Sequence, residues 1–85
     1  MPRYFFDTDD GTELLRDNEG SELADEQAAR DEASLTMAEL AKEYIAGSPL
    51  QKNVTMWVRN EQGEAVLQLS LTFATQIPKG VSSHF

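Results

Sequence analysis

The stretch NVTMWVRNEQGEAVLQLSLTF, residues 53–73, decides the fold of this 85-residue chain. Apolar and polar side chains alternate along residues 53–60 and again along residues 65–73, as they do in half-buried β-strands. The residues between the two runs, Glu61–Gly63, are typical of a turn. The pattern therefore predicts a β-hairpin. On the first strand of this hairpin, Val54, Met56 and Val58 fall on one face. Thr55, Trp57 and Arg59 fall on the opposite face.

A helix is predicted before this hairpin, from about Glu26 to Ala46. Asp25 can cap its first turn, because aspartate side chains accept hydrogen bonds from the free amides there. Gly47 and Pro49 would end it. Its apolar residues recur at the spacing of one helical face: Ala29, Ala33, Met37, Leu40, Ala41 and Tyr44.

A shorter hairpin is predicted at the start of the chain. The aromatic run Tyr4–Phe6 can form its first strand, the Asp10-Gly11 pair is a strong turn signal, and residues 12–16 can return as its second strand. A further cluster of turn residues, Asp17–Ser21, then leads to the helix. The order of elements is thus ββαββ.

This order predicts an α+β fold, a two-layer sandwich in which one helix covers one face of a four-stranded antiparallel sheet. A right-handed crossover that skips strand one gives the strand order 2-1-3-4. We expect a single domain over residues 1–85, with an ordered core at about 2–75 and a flexible tail at 76–85. The sheet residues expected against the helix are Tyr4, Phe6, Val54, Met56, Val58, Leu67, Leu69 and Leu71.

Composition and charge restrict the classes of function. The absence of cysteine excludes disulfides and thiolate chemistry, and it favours a reducing cytoplasm. No apolar run is long enough to predict a membrane span or a signal peptide. The formal net charge is −8, and residues 1–26 carry most of it, with nine acids against two arginines. Because an acidic surface repels phosphate backbones, free nucleic acid is an unfavourable partner.

The predicted sheet leaves one face uncovered by the helix, and Phe5 and Trp57 lie there on its two central strands. Together with their neighbours they form a candidate interaction face, which consists of Arg3, Phe5, Thr55, Trp57 and Arg59. Three interpretations stay open: contact with a second copy or with the chain's own tail, base stacking on RNA, and simple exposure. The absence of a basic stripe favours the first.

The segment DTDDGTE, Asp7–Glu13, could hold a divalent cation or form only the tip of the first hairpin. A calcium loop of EF-hand type needs glycine at its sixth position and a bidentate acid at its twelfth. Here Gly11 falls at the fifth position and Asn18 at the twelfth. A hairpin tip accounts for the same residues, with Gly11 at positive φ, so no metal ligand is predicted.

No catalytic or cofactor-binding residue is predicted. His84 is the only histidine and lies near the end of the chain, with no acid or nucleophile beside it in sequence. Exposed carboxylates of the acidic turn are expected to keep ordinary pKa values and to be poor proton donors at neutral pH. Glycine-rich phosphate loops and serine elbows are missing from the sequence. We therefore expect a protein that is not an enzyme.

Three motifs resemble a family of small alphaproteobacterial proteins grouped as a domain of unknown function: MPRYFF at residues 1–6, DNEGSEL at 17–23 and AARDEA at 28–33. The resemblance covers residues 1–33, and the rest only through the pattern of the second hairpin. It implies no activity and no functional residue. The junction of residues 17–25 with the helix also resembles, more weakly, HicB-type antitoxin domains, a resemblance that implies a basic protein partner.

We therefore expect a protein-binding module that forms a homo-oligomer through the open sheet face or a sheet edge. The alternative is an acidic, antitoxin-like regulatory subunit that masks a basic partner protein. RNA binding on the open face is a third and weaker hypothesis.

Overall fold

The structure is a computed structural model that describes residues 1–46, 50–76 and 78. Its elements are β1 (Arg3–Asp9), β2 (Leu14–Leu15), β3 (Ser21–Glu22), α1 (Glu26–Ala46), β4 (Gln51–Arg59) and β5 (Ala65–Ala74). The predicted bounds of the helix are confirmed, and so is its cap, because the Ala28 N–H donates to Asp25 Oδ1 at 2.9 Å. The predicted end at Gly47 and Pro49 lies outside the described residues.

The described strands form one antiparallel sheet in the order β2-β1-β4-β5, with β3 also paired to β1. The α+β class, with one helix and an antiparallel sheet, is confirmed. The prediction of four strands in the order 2-1-3-4 is wrong, because the turn cluster after β2 contains a fifth strand. Ser21 and Glu22 pair there with Tyr4 and Arg3. Two residues are too few for alternation to appear in the sequence.

The hairpin of β4 and β5 is the longest paired unit, with Gln51 opposite Ala74 and Arg59 opposite Ala65. Its turn is closed by Asn60, whose Oδ1 accepts the N–H groups of Gln62 and Glu64 at 3.0 and 2.9 Å. A bulge interrupts the register next to Val58. These contacts fix which side chains of the hairpin meet the helix.

The core lies between α1 and one face of the sheet. Its buried members are Tyr4, Ala29, Ala33, Met37, Val54, Met56 and Val58. Partly buried side chains packed against them are Phe6, Leu23, Leu40, Tyr44, Val66, Leu67, Leu69 and Leu71. The predicted packing of eight sheet residues on the helix is therefore confirmed. Since two helix positions in the core are alanines, the core is small and the free energy of unfolding should be modest.

Two further expectations concern the ends of the chain and membranes. The predicted flexible tail, residues 76–85, lies outside the described residues except for positions 76 and 78. Within the described ranges, no helix has the length and hydropathy needed to cross a membrane.

Candidate functional site

The predicted interaction face lies on the side of the sheet opposite α1. Phe5 is paired with Arg59 across β1 and β4, and Asp7 is paired with Trp57. Directly opposed residues of antiparallel strands point to the same face, and Tyr4, the neighbour of Phe5, points into the core. Phe5 and Trp57 are both half-buried there. Sequence reasoning therefore put the two rings on the side of the sheet where the structure has them, opposite α1. Their role in binding stays a prediction.

Arg59 is held on this face by a largely buried ion pair with Asp7. Its Nε and Nη2 donate to the two carboxylate oxygens of Asp7, the latter at 3.1 Å, and Nη2 also donates to Asp17 O at 3.1 Å. Only 17% of the Arg59 side chain and 9% of the Asp7 side chain are exposed. The guanidinium carbon lies 5.0 Å from the centre of the Phe5 ring. The positive charge of Arg59 is therefore neutralised within the protein by Asp7.

The pKa of Asp7 is the net result of opposing effects. Burial raises the pKa of this carboxyl, but the hydrogen bond from Arg59, the Asp17 N–H at 2.9 Å and the charge of Arg59 outweigh burial. Its pKa is therefore below the ordinary value, and the carboxylate stays ionised at neutral pH. A permanently ionised carboxylate paired with arginine is a structural link and a poor proton donor.

Asp17 closes the edge of β1 between β2 and β3. One carboxylate oxygen accepts the Phe6 N–H at 3.1 Å, and the other accepts the N–H groups of Glu19 and Gly20 at 3.1 and 3.0 Å. Burial raises the pKa of Asp17, but these three amides lower it further than burial raises it. The carboxylate takes the place that a neighbouring strand would occupy, so this edge has no free amide at Phe6.

The loop of Asp17 to Gly20 packs over part of the predicted interaction face. Gly20 has φ of +73°, and a Cβ built on it would lie 2.8 Å from Phe5 Cε1 and 2.9 Å from Arg3 Cγ. Arg3 also donates to Glu19 O at 2.9 Å and to Glu22 Oε1 at 3.2 Å. Three of the five predicted face residues thus contact the chain itself, which leaves mainly Thr55 and Trp57 for a partner.

Replacing Gly20 by alanine tests this close packing. We expect Gly20→Ala to lower the free energy of unfolding by about 2–3 kcal/mol, because positive φ and overlap with Phe5 act together. Gly11→Ala is the matched control, since Gly11 has φ of +94° but nothing within 4 Å of its Cβ position. It should cost about 1 kcal/mol, from backbone strain alone. Urea unfolding followed by Trp57 fluorescence measures both, and equal losses would contradict the packing of the loop on Phe5.

The acidic turn is the tip of the first hairpin, as predicted, with Gly11 at positive φ. Asp10 Oδ1 accepts the N–H groups of Thr12 and Glu13 at 3.0 and 2.9 Å, and these bonds hold the Asp10 pKa well below its ordinary value. The prediction of ordinary pKa values in this turn is therefore wrong for Asp10 and for Asp7. At Asp10 the cause is local, because the amides belong to the turn itself, whereas at Asp7 the partners are Arg59 and the Asp17 N–H, which lie outside the turn.

The turn also meets the end of the helix. Lys52 Nζ lies 3.9 Å from Asp10 Oδ2 and 4.9 Å from the centre of the Tyr44 ring. The Tyr44 hydroxyl lies 3.4 Å from the same carboxylate oxygen, and burial together with that carboxylate raises the pKa of Tyr44. Among the described residues, no group of three or more His, Asp or Glu side chains is arranged to hold a metal ion.

The outer edge of β5 is the second surface with binding potential. The Thr75 N–H donates to Leu50 O at 2.8 Å, in the register that pairs Gln51 with Ala74. Hydrogen-bonded and non-hydrogen-bonded pairs alternate in antiparallel strands, so alternate residues of β5 counted from Thr75 bond to β4. The other residues direct their N–H and C=O groups to the outside. These outward-facing residues are Gln68, Ser70, Thr72 and Ala74.

The two edges of the sheet differ in how they are protected. The edge formed by β1 is covered by two strands of two residues each, by the Asp17 carboxylate and by the ion pair of Arg3 with Glu22. β5 runs for ten residues without a charge or a proline, and no described strand pairs with its outer side. Natural sheets usually shield such an edge by charges, bulges or short strands. Sequence reasoning named a sheet edge as a possible contact but did not name residues of β5. The sequence feature that could have indicated them is the long uncharged run of residues 65–74.

Fold and geometry together define a small α+β domain with one sheet edge that short strands protect and one that no described strand covers. The chain belongs to the family described as Domain of unknown function (DUF6894), which matches residues 3–72. The match spans β1 to most of β5, so it includes both edges and the loop of Asp17. Neither the curated proteins nor the solved structures contain a protein that matches this chain.

Proposed function

We propose that this protein is a protein-binding module that takes up an extended strand along the outer edge of β5. Strand addition of this kind uses main-chain hydrogen bonds for affinity and alternate side chains for specificity. The observation that carries the proposal is the row of outward-directed N–H and C=O groups on an uncharged ten-residue strand. Such a row is a template for pairing with another chain.

The side chains of β5 support the same proposal. On the helix side, Leu67, Leu69, Leu71 and Phe73 are only partly buried, although the first three pack against the core. On the other side Gln68, Ser70 and Thr72 are exposed and neutral. An added strand would cover apolar area on one face and meet hydroxyl and amide groups on the other, without burying a charge.

The open sheet face is a weaker choice than this edge. Arg3, Phe5 and Arg59 are engaged by the chain's own loop and by Asp7, so their binding groups are already used. RNA binding on this face loses support for the same reason, since stacking needs free aromatic faces and phosphate binding needs free cations. Trp57 remains available to contact a strand bound along β5, because Gln68 is its neighbour across the sheet.

The acidic regulatory alternative also has less support than the edge. Much of the charge that favoured it is used internally: Asp7 pairs with Arg59, Asp17 accepts three amides, and Asp10 lies beside Lys52. The resemblance to HicB-type antitoxin domains and the cytoplasmic location stay hypotheses drawn from the sequence. A basic partner would find its counter-charges on the acidic turn and on the helix rather than along β5.

Amide hydrogen exchange tests the proposal residue by residue. In purified protein diluted until its mass is that of a monomer, we expect the outward amides of Gln68, Ser70 and Thr72 to exchange much faster than the inward amides of Leu69 and Leu71. When the labelled protein is placed in concentrated lysate of its own cells, the outward amides should become protected. Equal, fast exchange of the outward amides in both samples would contradict strand addition.

Ser70→Pro is the variant that separates edge binding from folding. Proline removes an N–H that does not serve the bond between β4 and β5, and edge strands accept it in that orientation. We expect the variant to fold, with a loss in the free energy of unfolding of about 1–2 kcal/mol, and to lose the protection of Gln68 and Thr72 in lysate. Ser70→Ala keeps the amide and should behave like the parent. A proline variant that is still protected at both positions would contradict the proposal.

A further inference from the structure

We infer that the strand bound by β5 is β5 of a second copy, paired antiparallel about a two-fold axis at Ser70. This inference rests on the proposed function and names its partner. A two-fold axis perpendicular to the sheet joins two identical edges and keeps both helices on the same side. The two sheets then become one continuous sheet, and each copy supplies the same groups to the other.

Charge favours a copy over a basic strand. β5 contains no acid or base, so a basic strand would find no counter-charge among residues 65–74. A second β5 brings no like charges to the contact, although each chain carries a formal net charge of −8. In the register centred on Ser70, Glu64 falls opposite Gln76 of the other copy, so an acid meets an amide.

The hydrophobic pattern selects this register. With Ser70 opposite itself, Leu67 faces Phe73 and Leu69 faces Leu71, so all four apolar side chains of the helix side face apolar partners. A shift of two residues in one direction places Phe73 opposite Ala65, and in the other it places Leu67 opposite Thr75. A shift of one residue opposes the apolar face to the polar face, which sheets with one buried face exclude.

The backbone groups agree with the same register. Gln68 faces Thr72, Ser70 faces Ser70, and Thr72 faces Gln68, all of them residues whose N–H and C=O groups point outward. Each hydrogen-bonded pair of an antiparallel ladder exchanges two bonds, so the three central pairs contribute about six. The hydroxyl and amide side chains of these residues then line the polar side of the joint, where cross-strand hydrogen bonds stabilise the sheet.

Single cysteines test the partner and the register together, because the chain has no cysteine of its own. Ser70→Cys puts two thiols opposite each other at about 5.5 Å between Cα atoms, within the range that a disulfide bridges. We expect most of this variant to form a covalent dimer under mild oxidation. Gln68→Cys alone should stay largely uncrosslinked, because position 68 faces position 72 of the other copy. An equimolar mixture of Gln68→Cys and Thr72→Cys should yield the mixed dimer preferentially.

The salt dependence of binding distinguishes a second copy from a basic partner protein. Since two copies of charge −8 repel, sedimentation equilibrium should show several-fold tighter self-association in 0.5 M NaCl than in 0.05 M NaCl. A basic partner would bind more weakly as salt rises. Cross-linking at position 68 alone that matches position 70, or a monomeric mass at all concentrations, would overturn the inference.

The inference and the proposed function can fail separately. Purified protein that stays monomeric at every concentration, with outward β5 amides protected only in lysate, would refute the second copy and leave strand addition in place. Outward amides that exchange fast in every sample would refute both. Protection in a purified monomer would also overturn the inference, because the edge would then be covered without a second chain.

Discussion

Arg59→Met should lower the free energy of unfolding by about 2–4 kcal/mol, one of the largest losses that a single change outside the core can cause here. Methionine keeps the unbranched apolar stem of the side chain, as far as the position of Nε, but leaves the buried Asp7 carboxylate without its cation. The Asp17 carbonyl loses a donor at the same time. A domain of this size has a free energy of unfolding of about 4–13 kcal/mol, so the variant could lose a third of it or more.

Urea unfolding at pH 7 measures this loss, and two variants control for it. Arg3→Met makes the same chemical change in an exposed pair, whose side chains are 41% and 58% exposed, and should cost about 0–1 kcal/mol. Asp7→Asn combined with Arg59→Met removes both charges and should be more stable than Arg59→Met alone. The interpretation of Arg59 as a structural cation fails if the Arg59 and Arg3 variants lose equal stability.

The elements whose residues follow a regular apolar-polar period could be predicted. The period of two in residues 53–73 and the capped, alanine-rich run from Glu26 to Ala46 specify the second hairpin and the helix without any tertiary information. The faces of the sheet followed, because alternation assigns Phe5 and Trp57 to one side once Tyr4 and Met56 are assigned to the core.

The contacts that organise the remaining loop could not be predicted, because their partners are far apart in sequence. Arg59 reaches Asp7 across 52 residues and the Asp17 carbonyl across 42, and which acid it meets depends on the register of β1 against β4. β3 is too short to show a period, and it exists because Arg3 and Tyr4 offer it an edge. The pattern of either strand alone does not specify the register of β1 against β4. A shift of one residue would exchange the two faces of the sheet and give Arg59 other neighbours.

The predicted strand order already put the last strand at an edge of the sheet, and the structure adds that no described strand pairs with its outer side. The sequence shows that β5 is long, uncharged and alternating, but a central strand of an antiparallel sheet with one covered face looks the same. Because β5 lies at the end of the strand order, no described strand pairs with its outward N–H and C=O groups. The direction of its amides, which decides that Ser70 and not Leu69 faces outward, follows from one hydrogen bond, Thr75 to Leu50.

Asp17→Asn should cost about 2–3 kcal/mol at pH 7, although the two side chains have nearly the same shape. One oxygen of Asn can still accept the N–H groups of Glu19 and Gly20, but its NH₂ group then meets the Phe6 N–H, and two donors oppose each other. The turn that covers Phe5 and the edge of β1 both depend on this carboxylate. Glu32→Gln, on the exposed side of the helix, is the control and should change stability by less than about 0.5 kcal/mol.

The pH dependence of this loss gives a sharper test than its size. Asp17 has a lower pKa in the folded protein than in the unfolded chain, where it is about 3.9. A depressed folded-state pKa contributes stability that is present above the unfolded value and is lost as the pH falls through the folded value. The parent should therefore lose this contribution below about pH 4, whereas the Asn variant has no charge at position 17 to lose.

The difference in the free energy of unfolding between the parent and Asp17→Asn should thus narrow from pH 7 to pH 3. Both proteins keep Asp7 and Asp10, whose pKa values are also lowered, so both should still lose stability in acid, the parent more steeply. Urea midpoints at pH 7, 5, 4 and 3, followed by Trp57 fluorescence, measure the two curves. Parallel curves would mean that the Asp17 carboxylate contributes through its shape and not through its charge, since shape does not titrate.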